Sequence, residues 1–217
     1  CVLHTATTKA QAGNHYYGAA IGMSVISGAS LIGGYSGAAL NPAVGIALPV
    51  VHDVATHCWV YIIGPIMGAM FAVLIFSLTA EDDEHEMVRK PFIPQIGQLM
   101  IAVPHVVKSL IAEFFGTMFL VMAVALSVAG AGGAIAIGLS LTVMIYTFGH
   151  VSGAHFNPAV TAAIFARGNH NIEILDAFGY MISQILGGFM GAGIAKDALE
   201  YYHNGSQSIN YPKLAGG

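Results

Sequence analysis

Charge is what this sequence lacks most. Only 8% of its 217 residues are Asp, Glu, Lys or Arg, while 56% are hydrophobic. That is roughly a third of the charged share of an ordinary soluble domain. A soluble fold of this size has to cover its surface with polar side chains. Seven Lys+Arg and eleven Asp+Glu cannot do so. A chain that turns its apolar surface toward lipid has no such need. Cysteine is equally scarce. Cys1 and Cys58 stand at no metal-ligand spacing, and two cysteines make no disulfide framework, so they read as ordinary buried or interfacial thiols. A net charge of −4 gives no footprint for nucleic acid. There is no Ser/His/Asp set, metal cluster or phosphate loop, so neither an enzyme nor a cofactor is expected. No secretory leader pattern is visible. The chain opens on Cys1 rather than Met, so the sequence is expected to be a fragment or a processed piece.

Long apolar runs are abundant. A bilayer core is crossed by about 20 apolar residues in a helix. Five stretches qualify: 16–34, 59–79, 109–130, 134–150 and 173–195. The 27 Gly suit closely packed membrane helices. A polar segment from Glu81 to Lys108 separates the second run from the third. It begins with an acidic cluster, contains Pro91 and Pro94, and reads as a solvated linker. With this linker in the cytoplasm, Lys9, Arg89, Lys90, Lys108 and Arg167 fall inside, and Lys196 and Lys213 outside. That distribution follows the positive-inside tendency. The C-terminal tail then lies outside, where Asn204-Gly205-Ser206 matches a glycosylation acceptor.

The chain also repeats itself. Ser36-Gly37-Ala38-Ala39-Leu40-Asn41-Pro42-Ala43-Val44 matches Ser152-Gly153-Ala154-His155-Phe156-Asn157-Pro158-Ala159-Val160. Gly22 precedes Asn41 by the same 19 residues that separate Gly138 from Asn157. Tyr61 and Gly68 are spaced like Tyr180 and Gly187. Each copy is therefore a span, a loop with the motif, and a second span. One copy reaches its motif from a span running outward and the other from a span running inward. Inverted repeats of this kind mark transport proteins, with the pathway at their interface.

Each Asn-Pro is followed by a short apolar segment, from Ala43 to about Val51 and from Ala159 to about Ala166. Ten helical residues rise about 15 Å, half of a bilayer core. Two such half-helices entering from opposite faces make up one span and meet near its middle. Asn is a good N-cap, and Pro fits the first helical position. With its oxygen engaged in capping, each Asn amide N–H₂ is left to face the lumen. Asn41 and Asn157 are then donors for a passing solute. The positive helix ends focused there oppose cations and protons.

These residues resemble the major intrinsic protein family, the aquaporins and aquaglyceroporins. His150-Val151-Ser152-Gly153-Ala154-His155-Phe156-Asn157-Pro158-Ala159-Val160-Thr161 is similar to that family's first, cytoplasmic-side motif loop. Ala112-Glu113-Phe114-Phe115-Gly116-Thr117 is similar to its first span, and Trp59-Val60-Tyr61-Ile62-Ile63-Gly64-Pro65 to its sixth. The resemblance implies an all-α membrane protein with an aquaporin-like inverted repeat, about five transmembrane helices plus two re-entrant half-helices. The halves stand in reversed order. Residues 1–80 match the end of span four, then spans five and six with the second motif. Residues 81–108 are the linker. Residues 109–217 match spans one to three, the first motif and an outer tail. Most of a fourth span is absent. The chain is either a piece of two fused pores, the reading we favour, or a pore with permuted halves.

The resemblance also implies roles. The Asn-Pro-Ala motifs are Asn41, Pro42, Ala43 and Asn157, Pro158, Ala159. The four positions of the narrowest point fall on Ile137, Ala29, Ala38 and Val44. Water-selective pores carry an aromatic, a His and an Arg among these, and this chain has none of the three. Val44 stands where the Arg would follow the second motif, so a wider, more apolar constriction is expected. Glu113, a carboxylate in an apolar span, is expected to brace a motif loop, and His150 and His155 to support the first motif. The expected activity is passive passage of water and small neutral solutes such as glycerol, urea, ammonia or peroxide, with protons and cations excluded. The partners implied are the lipid bilayer and three further copies in a homotetramer. The competing expectations are a non-conducting, junction-forming membrane protein and an incomplete fragment of a tandem channel.

Overall fold

The computed structural model describes residues 1–8, 11–36, 39–53, 58–79, 96–127, 132–168 and 172–206. Among them are eight helices and no strand: α1 (Val2–Ala6), α2 (Tyr17–Ser36), α3 (Pro42–Val51), α4 (Cys58–Thr79), α5 (Ile96–Ser127), α6 (Gly133–Ser152), α7 (Pro158–Arg167) and α8 (Ile174–Ser206). In lipid every backbone polar group has to be satisfied within the chain, which leaves a helix as the natural form for a long apolar run. Cys58–Thr79, Val106–Ser127, Gly133–Ser152 and Ile174–Glu200 are long and apolar enough to cross a membrane. A shorter apolar stretch, Tyr17–Gly33, lies in α2. Within the described residues, all five expected runs are helical over most of their length.

Two boundaries differ from expectation. The linker drawn over 81–108 is shorter, because α5 already begins at Ile96. Residues 96–108 carry one formal charge, Lys108, and are otherwise mostly apolar, so they continue the helix rather than leave it. The polar stretch 80–95 lies outside the described residues. At the other end, α8 runs to Ser206, so the Asn204-Gly205-Ser206 pattern falls in its last turn.

The repeat is visible in the packing. α2, α3 and α4 form one copy, and α6, α7 and α8 the other. The entry spans α2 and α6 lie against each other. Each half-helix packs on the exit span of both copies: α3 on α4 and α8, α7 on α8 and α4. α5 packs on α6, α8 and α3. The five-residue α1 repeats that pattern in miniature on α2, α4 and α7. Glycine sets the closest approaches. A Cβ on Gly22 would lie 2.6 Å from the carbonyl of Gly138, and one on Gly138 would lie 2.6 Å from that of Gly22. These are the two glycines that stand 19 residues before the motifs.

The core is thin and layered. Val44, Ala47, Val121, Val124 and Ala192 cluster where α3 meets α5 and α8. Leu120, Leu141, Ile145, Ala154 and Phe156 fill the space between α5, α6 and the motif loop before α7. Large apolar side chains cover the outside, among them Trp59, Met67, Phe71 and Leu78 on α4 and Phe178, Ile182 and Leu186 on α8. Such a surface suits hydrocarbon rather than water.

Candidate functional site

Asn41 and Asn157 cap the two half-helices. Both have extended backbones, and both half-helices begin with Pro. Asn41 Oδ1 accepts from Ala43 N at 2.9 Å, and Asn157 Oδ1 accepts from Ala159 N at 2.9 Å. The sequence expectation left both amide N–H groups for the lumen. Each Asn spends one of them across the repeat interface. Asn41 Nδ2 donates to the Phe156 carbonyl at 2.7 Å, and Asn157 Nδ2 donates to the Leu40 carbonyl at 3.2 Å. The bonds are reciprocal, because each Asn reaches the residue just before the other. Two helix N-termini that repel by their dipoles are thereby tied at the point of closest approach. One N–H per amide remains.

The motif loop before α7 carries unusual backbone. Gly153 ends α6 in the left-handed region at φ 84°. Ala154 and Phe156 follow at φ 53° and 48°. Left-handed conformations cost roughly 1–2 kcal/mol in a residue with a side chain. Glu113 holds them. Its carboxylate is fully buried and accepts four hydrogen bonds. Oε1 accepts from Ser152 Oγ at 2.6 Å and His155 N at 2.9 Å, and Oε2 from Phe156 N at 2.7 Å and Gln184 Nε2 at 2.8 Å. Buried charge is tolerated where its lone pairs are satisfied in this way. A second ring of bonds supports the first. Gln184 also donates to Thr161 Oγ1 at 2.9 Å, and Thr161 meets His155 Nδ1 at 3.1 Å. Tyr180 donates to the Ser152 carbonyl at 2.8 Å and Ser109 to that of Val151 at 2.9 Å. Phe156 is itself fully buried, edge-on to Phe148, and leaves no room for a Cβ on Gly116.

A cavity of about 830 Å³ runs past these groups. Asn41, Asn157, Ser24, Thr7 and Thr8 supply polar atoms to its wall, and His150 and His155 lie along it. Ile21, Val25, Val44, Leu120, Ile137 and Leu141 make much of the rest apolar. Of the four constriction positions, Val44 and Ile137 line the cavity and pack together. Ala29 sits one turn beyond Val25 on α2 and is not among the lining residues. Ala38 lies outside the described residues. His150 is exposed in the last turn of α6, whereas His155 is buried in the bracing network. Among the described residues no group of three or more His, Cys, Asp or Glu could hold a metal ion.

Sequence reasoning missed Gln184, Tyr180, Thr161 and Ser109 as bracing groups. A polar Gln inside an apolar span was a legible signal for the first. The others are common in membrane helices, and only their contacts distinguish them.

Helices meeting end to end inside an inverted repeat, wrapped in an apolar exterior, define an all-α integral membrane protein of the aquaporin-like class. A family profile for major intrinsic proteins matches residues 1–76 and 100–215, and the chain belongs to that family. Among curated relatives it is similar to glycerol uptake facilitator protein-like 6 of Lactiplantibacillus plantarum, 38% identical over 115 residues, which are 49% of this chain and 52% of the relative. It is similar to aquaporin NIP1-2 of Arabidopsis thaliana, 40% identical over 115 residues, 48% of this chain and 38% of the relative. It is also similar to nodulin-26 of Glycine max, 38% identical over 109 residues, 46% of this chain and 39% of the relative. The chain spans about half or less of the length of these relatives.

Proposed function

We propose that the chain forms a passive channel for water and small neutral solutes, with cations and protons turned back at Asn41 and Asn157. The observation that carries this reading is the reciprocal pair of Asn bonds on the wall of a long, mostly apolar cavity. The N–H left on each amide is a donor for a solute oxygen. The apolar wall around it holds the solute weakly, so that it moves on. Two helix N-termini at one place raise the potential for a cation. Names among the relatives, a glycerol uptake facilitator and aquaporins, agree in direction.

Selectivity in this reading follows from Val44 and Ile137, which line the cavity, with Ala29 and Ala38 the other two positions that the family resemblance implies. No cation and no aromatic stands there, so solutes larger than water pass: glycerol, urea, ammonia or peroxide. Liposome swelling tests this. The expected result is flux of water together with glycerol or urea, and water flux alone overturns the broad-filter reading. Val44→Arg is expected to reduce the larger fluxes first. Residues 1–80 serve as the second-half repeat and 109–217 as the first, with the intervening linker cytoplasmic and the C-terminal tail outside. Tagging either segment and probing its accessibility from each side checks that orientation. A homotetramer fits the broad apolar faces of α4 and α8, and mass in mild detergent decides its copy number.

A further inference from the structure

The two half-helices end differently, yet a cation stands at both ends. Each is 10 residues long, so Val51 and Arg167 occupy equivalent last positions. The Val51 carbonyl accepts from Lys196 Nζ at 3.1 Å. Lys196 is half-buried on α8, in the opposite repeat. Arg167 is only 7% exposed, and its guanidinium carbon lies 4.8 Å from the centre of the Phe76 ring. Phe76 is on α4, again in the opposite repeat. In one copy the exit span supplies the cation, and in the other the half-helix does while the exit span supplies an aromatic face. Two unrelated side chains reach equivalent places by opposite routes. Positive charge is what the two arrangements share, while the side chains' shapes and their attachment points differ.

The last-turn carbonyls of a helix form its negative pole. A cation there cancels that pole and leaves the positive pole at the far end uncompensated. In α3 and α7 the far ends are Asn41 and Asn157. We propose that Lys196 and Arg167 are positioning residues for cation exclusion: they neutralise the outer ends of the half-helices and so strengthen the barrier where those helices meet. The proposal rests on the channel reading above. The distance along ten residues is ~15 Å. At an effective dielectric constant near 20, one unit charge at that distance changes the local concentration of a cation by about sixfold. Asp53 and Asp197 stand close in sequence to Val51 and Lys196, but both are exposed, where solvent screens them.

Reconstituted full chain in liposomes, with water flux read by light scattering and proton flux by an internal pH dye, tests this. Lys196→Gln keeps a donor for the Val51 carbonyl and removes the charge. It is expected to raise the ratio of proton to water flux about sixfold, and Lys196→Arg to keep the wild-type ratio. Arg167→Gln and Arg167→Lys are read the same way and carry the test if the Lys196 variants do not assemble. A structural role alone lowers both fluxes together and leaves the ratio unchanged, which overturns the inference. Wild-type chain that passes no water overturns the channel reading and this inference with it. Wild-type chain that conducts water while the neutral variants keep its ratio overturns the inference alone.

Discussion

Glu113 accepts four hydrogen bonds beside the motif loop before α7, two of them from backbone amides. Ala154 and Phe156 adopt left-handed φ, which turns the amides of His155 and Phe156 inward. An apolar span offers no water to receive them, so a carboxylate does. Glu113→Gln replaces one acceptor oxygen with an N–H₂ that faces donors. The expected loss is about 3 kcal/mol of stability, typical of leaving buried polar groups unsatisfied. Thermal unfolding in detergent measures it, and an unchanged midpoint contradicts the bracing role. Gln184→Leu removes one of the four bonds and exposes no backbone group, so a smaller loss, about 1 kcal/mol, is expected in the same measurement. The Asn pair differs in kind. Asn157→Ala removes a cap and one cross-repeat bond, and is expected to cost ~1–2 kcal/mol while raising the proton-to-water flux ratio.

Helices α4 and α8 occupy equivalent places in the repeat but have different neighbours. On α8, Gly187 and Gly191 face the backbone of α5 at Phe114 and Met118, with no room for a Cβ. On α4, Gly64 and Gly68 have nothing within 4 Å. α5 lies along α8 over many turns, and α4 is met by α1, α3 and α7. Equal sequence spacing therefore has unequal energetic content. Gly187→Leu is expected to abolish assembly of folded chain, because the clash is with backbone that cannot rotate away. Gly68→Leu is expected to leave the yield of folded chain near wild type. Gel filtration after detergent extraction distinguishes the two, and equal yields contradict the packing.

The two repeats hold each other across a shared interface. α2 lies on α6, α3 on α8 and α4 on α7, and the Asn bonds cross the same interface. A protease site placed in 81–95 and cut after folding is expected to leave the two pieces associated in detergent. Their separation on a tag on either piece contradicts this. In the same packing each half-helix is seated by contacts from both copies.

Sequence alone determined the class of protein, because it depends on composition and period: apolar runs of bilayer length, two Asn-Pro-Ala motifs at matched spacing, and too few charges for a soluble surface. It also pointed to Asn41, Asn157 and Glu113, since a polar group in an apolar span has to answer to a partner. Only the tertiary structure decided what those partners are. That one N–H of each Asn is spent on the opposite loop, that Gln184 and Tyr180 brace the turn, and that Lys196 reaches Val51 are contacts between residues far apart in the chain. Local pattern encodes which face of a helix is apolar. Which atoms meet across two helices depends on their crossing and register, which are set by all the packed side chains together.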